Sequence, residues 1–398
     1  GLMHLPYKYE MVKEGDKRAG VRLWVQVPKF GGGQGTRDRT GSLQLATSPD
    51  LVGLTVRKTI WLNSDNDTIQ VDQELVNTTT QSRAAALYIQ QNLRMSGSHY
   101  SDNWYLPSTS GVRVNLQPEK QGGRAIGPDW IQTPVAGWMA VKDRKTQHGM
   151  VFAFDYNYLR KTYTSGATGE WFFEPVPLGP GKSFRTTYVV KPVSGFKDFV
   201  YGSSALVADI QADEVGQGQV KITHEVMAVG PDQNEVTVEL QVVGWKSKKL
   251  LAAKVFQVSR LSSKRLQQQL VCKPAALADG LLISAIVRTG TKEERYERFY
   301  AGDRAELQAR TNLFATEGGG LPSGRGDRYF RPQPIKRKQF DKPDFTKISP
   351  RDPQRFRCLV VFGLYTHILN LDDAVDGWKH HDVDTPVEFT WANCPPNG

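Results

Sequence analysis

The first half of the chain consists of short segments in which apolar and polar residues alternate. Clear examples span residues 21–27, 68–76 and 151–155. A period of two matches a strand that buries one face and exposes the other. Clusters rich in glycine, asparagine or aspartate, such as residues 63–67, separate these segments as turns do. Residues 1–203 are therefore predicted to form one large antiparallel sandwich.

Residues 204–300 show the same alternation on a smaller scale. Strands are predicted at 219–223, 235–243 and 281–287. About 100 residues with about seven short strands resemble an immunoglobulin-like or fibronectin-like sandwich. The resemblance is architectural, because the Cys–Trp–Cys core of antibody domains is missing, and architecture alone assigns no function.

The remainder of the chain changes character twice. Residues 301–355 are rich in proline, glycine and charge, which predicts a linker. Its basic cluster at 336–338 is expected to be solvated or, alternatively, to anchor the chain on an acidic surface. Residues 356–398 begin with a continuous apolar run at 357–362 and continue with a helical pattern around 368–375. This opening resembles a class I glutamine amidotransferase-like domain and implies a native chain that continues further.

Composition restricts the class of function. The 398 residues carry 51 Lys and Arg against 41 Asp and Glu, and the net charge of +10 is spread along the chain. No nucleic-acid-binding face and no membrane span is predicted, because basic residues do not cluster among rings and no apolar run reaches about 18 residues. The three cysteines are far apart, so no disulfide framework and no zinc site is predicted. No cofactor-binding motif occurs, so no cofactor is expected. The N-terminus shows no apolar signal core, so any export signal is expected to be absent or already removed.

A glutamate at a predicted strand end is followed by a proline–glycine turn and another alternating strand. The glutamate is Glu174 and the turn is Leu178-Gly179-Pro180-Gly181. This arrangement resembles the closing motif of the galactose mutarotase-like supersandwich. Two other segments fit that family's pattern, namely 58–62 with 71–77, and 137–143. The resemblance covers about residues 10–200.

The whole chain is accordingly predicted to be mainly β: an antiparallel β-supersandwich, an immunoglobulin-like β-sandwich, and a short incomplete α/β segment at the C-terminus. In mutarotases the glutamate is a general base and a histidine donates a proton to the ring oxygen. The resemblance implies Glu174 as that base, with His99 as the substitute acid. The family's histidine segment corresponds to residues 87–93, which contain no histidine, so sugar recognition without catalysis is expected.

Several side chains are candidates for sugar recognition. Sugar rings pack their apolar faces on aromatic side chains, and their hydroxyls need paired donors and acceptors. Residues 98–105, which are predicted to form a loop, are rich in such groups. The candidate sugar-binding residues are Tyr100, Asp102, Asn103, Trp104, Tyr105, Trp130, Tyr156, Tyr158 and Arg160. The alternative is that these rings simply fill the ends of the sandwich.

Three hypotheses for function follow. The first is a carbohydrate-binding or glycan-site-supporting part of a larger exported bacterial multidomain protein, periplasmic or extracellular, with an oligo- or polysaccharide as partner. The second is a carbohydrate-active enzyme, a lyase, hydrolase or epimerase, that uses Glu174 with His99, Tyr100 or Tyr156. The third is a structural protein in which stacked sandwiches act as spacers within a larger assembly.

Overall fold

The computed structural model describes residues 6–28, 51–95, 97, 102–108, 111–117, 130–132, 134–165, 168–245, 247–273, 280–300, 357–362 and 365–370. These residues form strands and turns and contain no α-helix, and none of them belongs to a helix long and apolar enough to cross a membrane. The strands, in chain order, are β1 (Lys8–Glu14), β2 (Arg18–Gln26), β3 (Leu54–Asn63), β4 (Ile69–Asn77), β5 (Arg83–Ala85), β6 (Tyr88–Asn92), β7 (Asp102–Ser108), β8 (Gly111–Asn115), β9 (Trp130–Ile131), β10 (Trp138–Asp143), β11 (His148–Phe154), β12 (Leu159–Ser165), β13 (Thr168–Phe173), β14 (Val176–Leu178), β15 (Ser183–Ser194), β16 (Tyr201–Gly202), β17 (Leu206–Glu214), β18 (Val220–Ala228), β19 (Gln233–Gly244), β20 (Leu250–Leu261), β21 (Leu266–Cys272), β22 (Leu281–Thr289), β23 (Lys292–Tyr300), β24 (Arg357–Phe362) and β25 (Tyr365–Asn370).

The first sandwich has two unequal layers. The larger is a nine-stranded antiparallel sheet in the order β1-β2-β3-β4-β15-β11-β10-β7-β8, and the smaller is a four-stranded sheet in the order β6-β13-β12-β9. Trp171 on β13 joins them, since its ring stacks on Phe154 at 4.5 Å and meets Tyr188 edge-on at 5.1 Å. Phe173 meets Phe184 in the same way at 5.7 Å. The predicted antiparallel sandwich is therefore confirmed.

A second pair of antiparallel sheets follows in the chain. Their orders are β16-β17-β18-β21 and β20-β19-β22-β23, and each has four strands. Alternate residues of β19, including Val238, Leu240 and Val242, are fully buried with Leu281 and Ile283 in the core between the sheets. This is a sandwich as predicted, while its membership of the immunoglobulin-like family stays a prediction.

The second sandwich packs on one part of the nine-stranded sheet. Tyr105 and Trp138 of that sheet share an apolar cluster with Phe199, Val207 and Met227. As a result, β7 and β10 are buried on both faces along their whole length. Both sandwiches belong to one compact unit of the chain.

The C-terminal prediction needs a correction. Residues 357–362 form the expected strand, but residues 365–370 form a second strand, β25, that pairs with it antiparallel, where a helix had been predicted to begin. Only two residues separate the strands, which suits a hairpin and is too short for a helical crossover between parallel strands. The hairpin belongs to a separate compact unit. Residues 301–356 and 371–398, including the basic cluster at 336–338, lie outside the described residues.

Candidate functional site

The outer face of the four-stranded sheet gathers aromatic side chains around one acid. Cross-strand pairing aligns Gln90, Glu170, Tyr163 and Trp130 in one row across β6, β13, β12 and β9. The next row aligns Tyr88, Phe172 and Lys161. Because side chains alternate along each strand, these residues share the face directed away from the nine-stranded sheet. We call this set, which comprises Tyr88, Trp130, Tyr163, Glu170 and Phe172, the aromatic face.

The rings of the aromatic face form a continuous surface. The Trp130 ring centroid lies 4.5 Å from that of Tyr163 and 5.4 Å from that of Phe172. Tyr88 stacks on Phe172 at 4.6 Å. The Lys161 ammonium lies 4.4 Å from the Trp130 centroid, a cation–π contact that adds one positive charge beside the rings. Tyr88 and Tyr163 are half-buried, and Trp130 and Phe172 are more deeply buried.

Glu170 is the acid in this surface, and its side chain is only 2% exposed. Burial raises its pKa to about 7, and the neighbouring Tyr88 hydroxyl, which donates to Gln90 Oε1 at 2.7 Å, offsets part of that effect. Burial and the neighbouring Glu170 carboxylate in turn raise the pKa of Tyr88, so the phenol stays protonated and remains a donor. A carboxyl group that changes charge near neutral pH can act as a donor, an acceptor or a proton carrier.

Trp130 is the predicted sugar-binding residue that the structure places on the aromatic face. The other predicted residues of the described chain lie elsewhere. His99 and Tyr100 lie outside the described residues, so their predicted roles, including that of His99 as an acid, stay predictions.

Four of the predicted sugar-binding residues belong to β7, and the structure buries all four. Asp102, Asn103, Trp104 and Tyr105 are no more than 5% exposed, because β7 is covered on both faces. Trp104 fills the space beside Gly169, where an added Cβ would lie only 2.3 Å from its ring. The segment had been predicted to be a loop, but it is a strand covered on both faces.

The buried polar groups of β7 serve the fold. The Asp102 carboxylate accepts the Met95 backbone N–H at 3.0 Å, and burial raises its pKa to about 6 despite that hydrogen bond. The Asn103 side-chain oxygen accepts the Gln117 backbone N–H at 3.3 Å. Both side chains therefore hold neighbouring loops rather than a ligand.

The remaining predicted residues cluster at the end of β12 and β13. The Glu174 side chain is 48% exposed, and its carboxylate lies 3.7 Å from the Arg160 guanidinium. Tyr158 is 60% exposed and meets Phe184 edge-on, and Tyr156 is 50% exposed with its hydroxyl bonded to the Pro134 carbonyl. These side chains lie near one another, but the acid surrounded by rings is Glu170, four residues before the predicted base.

Sequence reasoning missed Tyr88, Tyr163, Glu170 and Phe172. One sequence feature could have revealed Glu170, because it is the charged residue in a strand whose other residues are apolar or small: Thr168-Gly169-Glu170-Trp171-Phe172-Phe173. A charged residue inside such a strand is buried only where it has a partner. The partner, Tyr88, comes from a distant part of the chain, and the sequence pattern does not reveal which strands pair. Among the described residues, no three His, Cys, Asp or Glu side chains come together as a metal site would require.

Comparisons with known proteins identify neighbours in structure alone. No family model matches the chain, and no curated protein sequence matches it. A putative aldose 1-epimerase from Escherichia coli K12 is 9% identical, with 49% of this chain and 71% of that chain covered and a TM-score of 0.28. A galactose mutarotase-like protein from Clostridium acetobutylicum is 8% identical, with 49% and 69% covered and a TM-score of 0.30. Another from Lactobacillus casei ATCC 334 is 14% identical, with 47% and 74% covered and a TM-score of 0.29.

Proposed function

We propose that the protein binds carbohydrate on the aromatic face. The observation that supports this function is the set of four touching rings beside one buried carboxyl group. Rings of this kind pack against the apolar face of a sugar through the half-buried Tyr88 and Tyr163, while Gln90 and Lys161 supply hydrogen bonds to its hydroxyls. The proposal includes a periplasmic or extracellular location, which fractionation of the producing cells would test.

Tyr163 is the side chain with which to test this proposal. It is half-buried and touches Trp130, so its removal takes away accessible ring surface. We expect Tyr163→Ala to weaken binding of a neutral oligosaccharide identified on a glycan array by about tenfold, and Tyr163→Phe to retain most of it. Isothermal titration calorimetry measures both affinities.

Tyr156→Ala is the matched control, because Tyr156 is an exposed tyrosine at the end of the sandwich and outside the aromatic face. Equal losses in Tyr163→Ala and Tyr156→Ala would contradict the proposed site. Absence of binding to any neutral glycan on the array would contradict the proposed function itself.

Acid–base catalysis on a sugar is the second candidate function, and the pKa of Glu170 favours it. A carboxyl group with a pKa of about 7 can both take up and release a proton at neutral pH. If such an activity is detected with lyase, hydrolase or epimerase substrates, Glu170→Gln should abolish it. Glu174→Gln should leave most of it, because Glu174 is exposed at the strand end. The opposite ranking would restore Glu174 as the predicted base.

A further inference from the structure

The outer face of the nine-stranded sheet carries a concave surface. It lies on β1–β4 and on residues 185–187 of β15, whereas the later part of β15 joins the apolar cluster shared with the second sandwich through Val193, and its cavity measures about 660 Å³. Side chains from adjacent strands line it in register. We call it the charged trough, and the side chains that matter are Arg22, Trp24, Arg57, Asp72, Glu74 and Arg185.

Two of the three carboxylates that line the charged trough, Asp72 and Glu74, are already occupied, and the third, Glu10, accepts the Arg22 guanidinium at 2.7 Å and is 48% exposed. Asp72 receives hydrogen bonds from the Trp61 indole at 2.8 Å, from Gln70 at 2.9 Å and from Thr187 at 2.9 Å. A carboxylate with three donors around its two oxygens has little capacity left for a ligand hydroxyl.

Glu74 is engaged in the same way. Its two oxygens receive the Arg57 guanidinium at 3.1 Å and the Arg185 guanidinium at 2.8 Å. Burial alone would raise the pKa of Glu74, but hydrogen bonds from Arg185, Ser183 and Arg57 outweigh it and lower the pKa. The carboxylate is therefore held in its charged form between two arginines.

The donors of the charged trough are in excess. A guanidinium has five N–H groups, and within the described chain Arg22, Arg57 and Arg185 each direct one hydrogen bond to a carboxylate. Their side chains are 43%, 46% and 77% exposed, so solvent and ligands reach them. Since Asp72 and Glu74 are occupied and the guanidinium groups are accessible, this part of the trough selects a ligand that brings acceptors, and a planar anion satisfies guanidinium groups best.

An aromatic platform lies beside these donors. Trp24 is half-buried, lines the cavity and pairs with Arg57 across β2 and β3. An inorganic anion would use the guanidinium groups but gain nothing from an indole ring. A sugar ring would gain from both, since its apolar face packs on the indole.

We propose that the charged trough binds an acidic saccharide, a sugar that carries a carboxylate or a sulfate. The arginine guanidinium groups bind the anionic substituent, and Trp24 supports the ring. The site is separate from the aromatic face and is argued from different side chains, so either can fail without the other.

The test measures binding of the full chain to polygalacturonate, to heparin and to neutral dextran. The two acidic polymers distinguish a carboxylate ligand from a sulfate ligand, and binding of either with weak or absent binding of dextran supports the proposal.

We expect Arg57→Gln with Arg185→Gln to reduce the affinity for the preferred acidic polymer by about tenfold or more. The matched control is Arg260→Gln with Arg295→Gln, which removes two exposed, ion-paired arginines from the second sandwich. Equal loss in both double variants would show non-specific attraction to a basic protein and would overturn the site.

If the double variant fails to fold, a variant that is predicted to raise the affinity can still test the proposal. Glu74→Gln removes the carboxylate that holds Arg57 and Arg185, so it should raise the affinity for the acidic polymer, and a decrease would overturn the proposal. Trp24→Ala should weaken binding of an acidic oligosaccharide but leave binding of sodium sulfate unchanged. If sodium sulfate competes as strongly as the oligosaccharide, the trough is an anion site only and the saccharide assignment is wrong.

Discussion

The titration of Glu170 makes a quantitative prediction about stability. Its folded-state pKa is about 7 against an ordinary value of 4.5, and the cause is burial. The folded protein therefore holds a proton on Glu170 in a pH range where the unfolded chain has released it. Stability from this group is fully present below about pH 4.5 and declines as the pH rises toward 7. The difference between the two pKa values corresponds to about 3 kcal/mol.

Glu170→Gln removes this titration while it keeps a side chain of nearly the same shape. The variant should therefore gain stability relative to the unchanged protein as the pH rises, by up to about 3 kcal/mol between about pH 4.5 and 7.5. Urea unfolding followed by tryptophan fluorescence measures the difference at each pH, and contributions from all other titrating groups cancel in that difference. Glu174→Gln controls for the loss of one acidic side chain.

A difference between Glu170→Gln and the unchanged protein that stays constant across this range would refute the reasoning. It would mean that the Glu170 carboxyl group is hydrated in the folded protein, and the aromatic face would then lack its buried acid. A difference of the opposite sign would place an unrecognised positive partner next to the carboxylate.

Three further predictions concern the packing of the two sandwiches. Trp104→Ala should lower the free energy of unfolding by about 3–5 kcal/mol in urea titrations, because the ring is fully buried, and a cost below about 1 kcal/mol would contradict its place in the core. Gly169→Ala should lower the melting temperature, since the new Cβ would meet the Trp104 ring at 2.3 Å, whereas Gly179→Ala, with only the Lys182 side chain at 3.6 Å, should be nearly neutral. Burial lowers the pKa of His224 to about 4, so its protonation in the unfolded chain costs stability as the pH falls from 6.5 toward 4. His224→Gln should make unfolding less dependent on pH in that range, and an unchanged dependence would contradict this account.

Much of the strand structure could be predicted because alternation is a local property. In β15, Phe184, Thr186 and Tyr188 are buried while the residues between them are exposed, and the sequence shows this pattern directly. The C-terminal helix predicted around 368–375 was wrong at residues 368–370, which belong to β25, because a short apolar run fits a strand and a helix equally well. Residues 371–375 lie outside the described residues. The spacing of two residues between β24 and β25 indicates a hairpin more strongly than the apolar run indicates a helix.

The candidate site was harder to predict. Trp104 and Tyr105 lie in a segment whose polar and aromatic composition is typical of a binding loop, yet both are buried. Trp104 is covered by the four-stranded sheet at Gly169, and Tyr105 by Phe199 of the chain that leads into the second sandwich. Those partners are distant in sequence, so composition could not distinguish an accessible ring that can bind a ligand from a ring that is buried against another part of the protein.

By itself the sequence predicted most of the strands, and for each of them which two sets of side chains lie on opposite faces, because both follow from a period of two residues. It did not determine which of those faces would be covered. Only the tertiary structure decided that Glu170 is enclosed among rings, that Trp104 is core, and that the arginines of the charged trough remain accessible. The physical reason is that burial, and with it the pKa and the availability of a side chain, depends on which other sheet packs against the strand.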